Sequence, residues 1–376
     1  MWIHRKLHQP ILDRLFKGKA IIVIGARQVG KSSLFNNVRA VLDVPVLTLN
    51  CDDPETRSLL NEISSGLLRT MIADNRVVII DEAQRVDNIG LTLKRIVDEY
   101  PEVQLLVTGS SSLQLRDRLN EPLTGRKYEY MMYPVSTGEL VDSRGLVEAN
   151  KMLESRLIYG SYPDVLTHEA DAKELLMNLS DSYLYKDILE LEAVRRPGIL
   201  EKLLVALALQ LGSEVSSNEI ARTIGADSKT VDRYIDLLEK CFVVYRLNGF
   251  SRNLRSELRK TKKIYFYDNG IRNAVIQNFA PIELRNDVGA LWENFFITER
   301  MKANAYRNHH YRPYFWRTSN QQEIDYIEES DGVFSLFEMK WNPRKATVNF
   351  PVSFVETYPV VQKAVVTPQN YLEYLL

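Results

Sequence analysis

The chain has 376 residues, too many for one ordinary core and enough for about two to three domains. Hydrophobic content of 45% and charged content of 26% are globular values, and 48 Lys+Arg against 49 Asp+Glu leave a net charge of -1, which excludes a polycation and confines any nucleic-acid contact to a local patch. The two cysteines, Cys51 and Cys241, are far apart and lack metal-ligand spacing, so a reducing compartment without a disulfide framework is expected.

The N-terminal MWIHRKLHQPILDRLFKGK is broken by charges before any apolar run reaches signal-peptide length. No stretch approaches the roughly 18 apolar residues of a membrane span, so a soluble, cytoplasmic protein without membrane contact is expected. An apolar β-type run from Ala20 to Ile24 then feeds Gly25, Ala26, Arg27, Gln28, Val29, Gly30, Lys31, Ser32 and Ser33, in the spacing G-x-x-x-x-G-K-[ST]. This is a P-loop. Its glycines permit close approach, its N–H groups aim at phosphates, and the following helix adds the positive end of its dipole. Lys31 is expected at the β- and γ-phosphates and the Ser32 hydroxyl on Mg²⁺.

A strand VPVLTLN and a helix separate this loop from RVVIIDEAQRV, a short apolar strand ending in Asp81 and Glu82. Asp81 is expected to hold Mg²⁺ through water, and Glu82 to orient or deprotonate the attacking water. A further strand, VQLLVTGSSS, ends in polar residues, of which Ser110, or failing it Thr108, is the candidate sensor of the γ-phosphate. Four parallel strands alternating with helices give a three-layer α/β domain with its ligand at the C-terminal strand ends.

The stretches GARQVGKSSL, IIDEAQRV, LLVTGSSS, LTGRKYEYMMYPVSTGEL and YGSYPDVL, continued by KKIYFYDNGIRNAV, LWENFFITERM, YFWRTSNQQEIDYI and FEMKW, run through nearly the whole chain. In them the chain resembles the prokaryotic AAA-type P-loop ATPases that carry a C-terminal domain of uncharacterised function. The resemblance implies ATP binding in an additional-strand, AAA-like domain, then a winged helix-turn-helix and a C-terminal α/β fold similar to PD-(D/E)XK nucleases. It casts Arg126 as an arginine finger or sensor; the plain alternative is a surface arginine before a strand.

The pattern from Leu146 to about Glu192 is helical, a lid or linker. Its Tyr159, Tyr162, Tyr183 and Tyr185 are either an aromatic surface for single strands or core. From RRPGIL onward a helix leads into SSNEIARTIGADSKTVDRYIDLLEK, a helix-turn-helix with capping-box spacing at Ser216 and Glu219, a turn at Gly225 and Ser228 as cap of the second helix. That helix sets Lys229, Arg233 and Lys240 against Asp232, Asp236 and Glu239, a poor phosphate seeker. The wing connection carries Arg252, Arg255, Arg259, Lys260, Lys262 and Lys263 against Glu257, so the wing from Arg252 to Lys263 is the expected DNA contact, or else a hairpin used for packing.

The last region reads helix, strand, hairpin. Alternation puts Glu338 and Lys340 on one face, hairpin pairing brings Asp325 beside them, and Glu293 on the preceding helix matches the family position for a further acid. These carboxylates would suit a second divalent metal, with Lys340 helping to orient a water or stabilise charge. The expected domains are 1–145, ATPase; 146–195, helical lid or linker; 196–278, winged helix-turn-helix; and 279–376, nuclease-like. The expected function is Mg²⁺-dependent ATP hydrolysis coupled to a C-terminal region acting on DNA; the alternative is a nucleotide-switched regulatory protein with an inert nuclease-like domain that docks a protein partner. A homo-oligomer fits either.

Overall fold

The computed structural model describes residues 3–61, 63–110, 123–181, 188, 194, 196–251, 262–318, 320–345 and 349–376. They form two compact units, Met1–Pro134 with Lys240–Phe242, and Val135–Glu239 with Val243–Leu376.

The first unit is built on a five-stranded sheet of order β2-β3-β4-β1-β5, from β1 (Ala20–Ile24), β2 (Val46–Asn50), β3 (Val77–Asp81), β4 (Gln104–Gly109) and β5 (Lys127–Met131). All its pairings are parallel. The runs AIIVI and QLLVTG are buried along their whole length, as central strands covered on both faces must be. β4 stands between β1 and β3, the additional-strand arrangement. The fifth strand, β5, lies outside the four that the sequence pattern predicted. It pairs with β1 in register from Ala20↔Lys127 to Ile24↔Met131.

In the second unit, seven strands form one mixed sheet of order β12-β11-β10-β9-β7-β8-β6: β6 (Glu214–Val215), β7 (Val244–Gly249), β8 (Lys262–Phe266), β9 (Arg312–Arg317), β10 (Glu323–Ser330), β11 (Val333–Met339) and β12 (Val360–Val366). The helix-turn-helix is present as Ser217–Ile224 and Ser228–Lys240, with Gly225 left-handed at the turn. Its second helix is capped by Asp227, which accepts from the Thr230 N–H at 2.8 Å, rather than by Ser228.

The expected boundary between the winged and C-terminal domains does not divide the sheet, because β7 pairs in parallel with β9 at Asn248↔Tyr314. The first compact unit ends at Pro134. Thr137 donates its hydroxyl to the buried Glu299 at 2.7 Å, tying the helix Thr137–Arg144 to the second unit. Glu299 also meets Arg156 at 3.0 Å and Lys302 at 2.7 Å. Burial alone would raise its pKa, but the two cations and the hydrogen bonds from Lys302 and Thr137 win and hold it down at about 2. Of the tyrosines weighed as a nucleic-acid surface, Tyr162 is buried and Tyr159 stacks on Phe279 with ring centroids 5.8 Å apart, so both are packing residues; Tyr183 and Tyr185 lie outside the described residues.

Candidate functional sites

The P-loop turns from β1 into the helix Lys31–Ala40 at the C-terminal end of the sheet. Two glycines are required there by geometry. A Cβ on Gly25 would sit 2.1 Å from the Met132 carbonyl oxygen, and Gly30 has φ 97°, in the left-handed region. The buried Arg5 braces the loop from outside, donating to the Val29 and Tyr133 carbonyls at 2.5 and 2.6 Å. Nothing in the N-terminal sequence signals that role, since a lone arginine outside any periodic pattern reads as surface.

Lys31 is buried and donates to the Gly25 and Ala26 carbonyls at 3.0 and 2.9 Å. Burial lowers its pKa, and the carboxylates of Glu82 and Asp81 only partly restore it. The Ser32 hydroxyl donates to Asp81 Oδ2 at 2.7 Å, and Thr108 donates to the other oxygen of Asp81. Thr108 Oγ1 also accepts the Glu82 N–H at 3.0 Å. Thus Thr108, the second choice for a γ-phosphate sensor, instead ties the end of β4 to the acid pair.

Ser110 lies on Glu82 itself. Its hydroxyl donates to Glu82 Oε2 at 2.9 Å, and Gln84 donates to the same oxygen at 2.5 Å and to Ser110 Oγ at 2.9 Å. Burial would raise the Glu82 pKa, but the Lys31 charge and these two donors outweigh it, so Glu82 is held below the ordinary carboxylate range. Gln84 was missed by motif reading, although its place two residues after Glu82 was a usable signal.

Arg126 is not brought to this group. It precedes β5, whose first residue pairs with the first residue of β1, so it stands at the opposite end of the parallel sheet from the P-loop, and its Nε donates to Asp98 at 2.6 Å. A sensor role within one chain is therefore corrected to a surface ion pair, because a five-residue strand separates the two ends by about 16 Å.

These residues fit ATP with Mg²⁺. The glycines leave room for phosphate oxygens, Lys31 supplies a cation at the loop, and Ser32 and Asp81 already meet where hard oxygen ligands for Mg²⁺ belong. Bound there, the metal would neutralise developing phosphate charge. Glu82, kept ionised, could accept a proton from an attacking water there, while Gln84 and Ser110 set the direction of its carboxylate.

A second polar cluster occupies the C-terminal sheet. Asp325 and Glu338 interlock across β10 and β11. The Asp325 N–H donates to Glu338 Oε1 at 3.3 Å, and the Met339 N–H donates to Asp325 Oδ2 at 3.0 Å. Lys340 Nζ lies 3.0 Å from Glu338 and 3.7 Å from Asp325. Burial first, then the Asp325 charge, pushes Glu338 up to about 7, with Lys340 opposing.

Glu293 projects from the helix Val288–Tyr306 towards β8, where Tyr265 donates to it and Lys263 pairs with it at 3.2 Å. Burial raises it to about 7 although Lys263 opposes, and the Asp325 charge adds to the rise. Lys263 also meets Glu323 at 2.8 Å. Sequence alternation in KKIYFYD put Lys263 and Tyr265 on one face, a signal that went unread. Among the described residues no group of three or more acids, histidines or cysteines has metal-binding geometry.

The expectation that Lys262 and Lys263 contact DNA is corrected: Lys262 pairs with Asp232 at 2.9 Å and Lys263 is buried against Glu293 and Glu323. Both are spent neutralising protein acids. Arg252, Arg255, Arg259 and Lys260 lie outside the described residues.

The first unit, with its phosphate loop, acid pair and inserted β4, is an AAA-type P-loop ATPase domain. A family model described as an AAA domain matches residues 17–141, and two models described as domains of unknown function, DUF8612 and DUF4143, match 150–281 and 288–374. The chain is 28% identical over 338 residues to an uncharacterized protein of Mycobacterium tuberculosis, covering 87% of this chain and 71% of that one. It is 24% identical over 275 residues to an uncharacterized protein of Haemophilus influenzae, covering 68% of each. Among solved structures, a Walker-type ATPase of Pyrococcus abyssi matches with TM-score 0.50 at 18% identity, covering 73% of this chain and 96% of that one; the likeness is one of fold. Among the described residues no helix is long and apolar enough to cross a membrane.

Proposed function

We propose that this ATPase hydrolyses ATP with Mg²⁺ to drive or gate a DNA-processing C-terminal unit, whose nuclease-like centre is Asp325, Glu338 and Lys340. The observation that carries the reading is the convergence of these three side chains on the adjoining ends of β10 and β11. The order around them supports it. The helix Val288–Tyr306, antiparallel β9, β10 and β11, the helix Val352–Thr357, and β12 parallel to β11 follow the order of a PD-(D/E)XK core.

A divalent cation in this cluster would polarise a phosphodiester. Asp325 and Glu338 supply the hard oxygen ligands, whereas Lys340, which as an ammonium cannot be a ligand, faces the charge that develops on phosphorus oxygens. The helix-turn-helix of the same unit is the element that would place DNA beside it.

One observation favours a second reading. Lys340 already pairs with both acids, and Lys263 occupies Glu293, as in a nuclease-like fold kept only for docking a partner under nucleotide control. Purified protein incubated with plasmid and oligonucleotide DNA and Mg²⁺ or Mn²⁺ separates the two. Metal-dependent cleavage that Asp325→Ala and Glu338→Ala each abolish supports the first. Cleavage that survives both variants, or none from the unaltered chain with any DNA and metal, overturns it.

A further inference from the structure

A cavity of about 610 Å³ opens in the C-terminal unit immediately beyond Lys340. Its lining includes Trp341, Pro343 and Pro368 as apolar surfaces and Asn150, Asn342 and Glu154 as polar ones. The volume falls within the range of small-molecule sites, about 300–1,000 Å³. None of these residues belongs to the ATP site or to the carboxylate cluster.

The aromatic wall is held in place. Trp341 meets the buried Trp292 edge-on, with ring centroids 5.8 Å apart and planes at 64°, and Trp292 is itself fixed by donating its indole N–H to the Val366 carbonyl at 3.2 Å. A fixed indole with proline rings beside it makes a flat apolar slot, the shape of a base-stacking site.

The polar wall carries both donors and acceptors. Asn150 Oδ1 accepts the Tyr371 hydroxyl at 3.2 Å, and Asn342 Oδ1 accepts the Arg344 N–H at 3.0 Å. These bonds orient the two amides, which with Gln369, Lys151 and the exposed Glu154 can meet the polar edge of a base in either sense. Position agrees, since Trp341 lies three residues along from Glu338, at most about 10 Å for an extended chain, within reach of nucleotides next to a phosphate held there.

We propose that this cavity binds one unpaired nucleotide of a DNA strand, its base stacked on Trp341 and its polar edge met by Asn150, Asn342 and Glu154. The proposal rests on the reading of Asp325, Glu338 and Lys340 as a centre that faces DNA, and it names a substrate class for that centre: single-stranded or frayed DNA.

The test uses the full chain in EDTA without nucleotide, so that cleavage does not intervene, and measures fluorescence anisotropy of labelled oligo-dT and of a blunt duplex of equal length. Tighter binding of oligo-dT than of the duplex is expected, with quenching of tryptophan emission by dT. Trp341→Ala should weaken dT binding about ten- to hundredfold, the usual loss for one stacked base. Trp341→Phe, which keeps a ring in the slot and guards against a folding defect in the alanine variant, should bind between the two and lose the quenching.

Equal dT affinity in the unaltered protein and a Trp341→Ala variant that melts normally would overturn the proposal, as would equal affinity of the unaltered protein for oligo-dT and the duplex. The two readings fail separately. Trp341-dependent dT binding in a protein that cleaves no DNA leaves the cavity standing and removes the nuclease reading; cleavage with Trp341-independent binding does the reverse.

Discussion

Ser32 and Asp81, 49 residues apart in the chain, are joined by a hydrogen bond of 2.7 Å. Parallel pairing brings this about: β1 and β3 flank β4, so the loop after β1 and the acid that ends β3 open on the same edge of the sheet. Ser32→Ala removes one of the two oxygens and Asp81→Asn takes the charge from the other. Each should lower Mg²⁺-dependent turnover about a hundredfold or more. The steady-state ATPase rate as a function of Mg²⁺ checks it: a normal rate at normal Mg²⁺ in either variant would show that the pair does not serve the metal.

Lys31→Ala should abolish ATP turnover and greatly weaken nucleotide binding, because the lost charge is the one that meets the transferring phosphoryl group. Glu82→Gln should behave differently, trapping ATP bound but unhydrolysed, as an amide accepts no proton from water. Binding of a fluorescent ATP analogue, run beside a phosphate-release assay, distinguishes the two phenotypes.

Gln84 is a positioning residue for Glu82, and its replacement should leave a characteristic mark. The Gln84 and Ser110 donors help to hold the Glu82 pKa down. Gln84→Leu removes one donor, so the acidic limb of the kcat profile should move to higher pH and kcat should fall about tenfold, with KM for ATP little changed. A uniform loss at every pH would point to damaged packing instead.

Two acids of the helix Val288–Tyr306 should affect stability with opposite pH dependence. Glu299, held at about 2, adds stability above its ordinary pKa near 4.5 that is lost as pH falls towards 2. At neutral pH, Glu299→Gln leaves Arg156 and Lys302 buried without their carboxylate and should cost about 3 kcal/mol. Glu293, raised to about 7, favours the fold below pH 4.5, and that contribution disappears as pH rises through 7. Glu293→Gln should therefore flatten the fall in stability between pH 5 and pH 8. Urea unfolding of the unaltered protein and both variants from about pH 3 to pH 8 would read the two slopes.

The P-loop and the acid pair were legible in the sequence because each is a local pattern: a short apolar run that can only be a buried strand, followed at once by residues whose spacing suits phosphate and Mg²⁺. The pairing of Asp325 with Glu338 and Lys340 was legible for a similar reason, since a hairpin turns strand alternation into contact across one turn. What depended on distant segments was not. The face presented by Lys263, the brace that Arg5 puts on the loop, the placing of Arg126 at the far end of the sheet and the union of the wing with the C-terminal strands follow from strand order, and strand order is set by which buried faces fit together over the whole chain. Charge makes the same point. In sequence Lys263 is one more cation in a basic run, and only burial beside Glu293 and Glu323 turns it inward, because a buried ammonium and a buried carboxylate each need the other to remain charged.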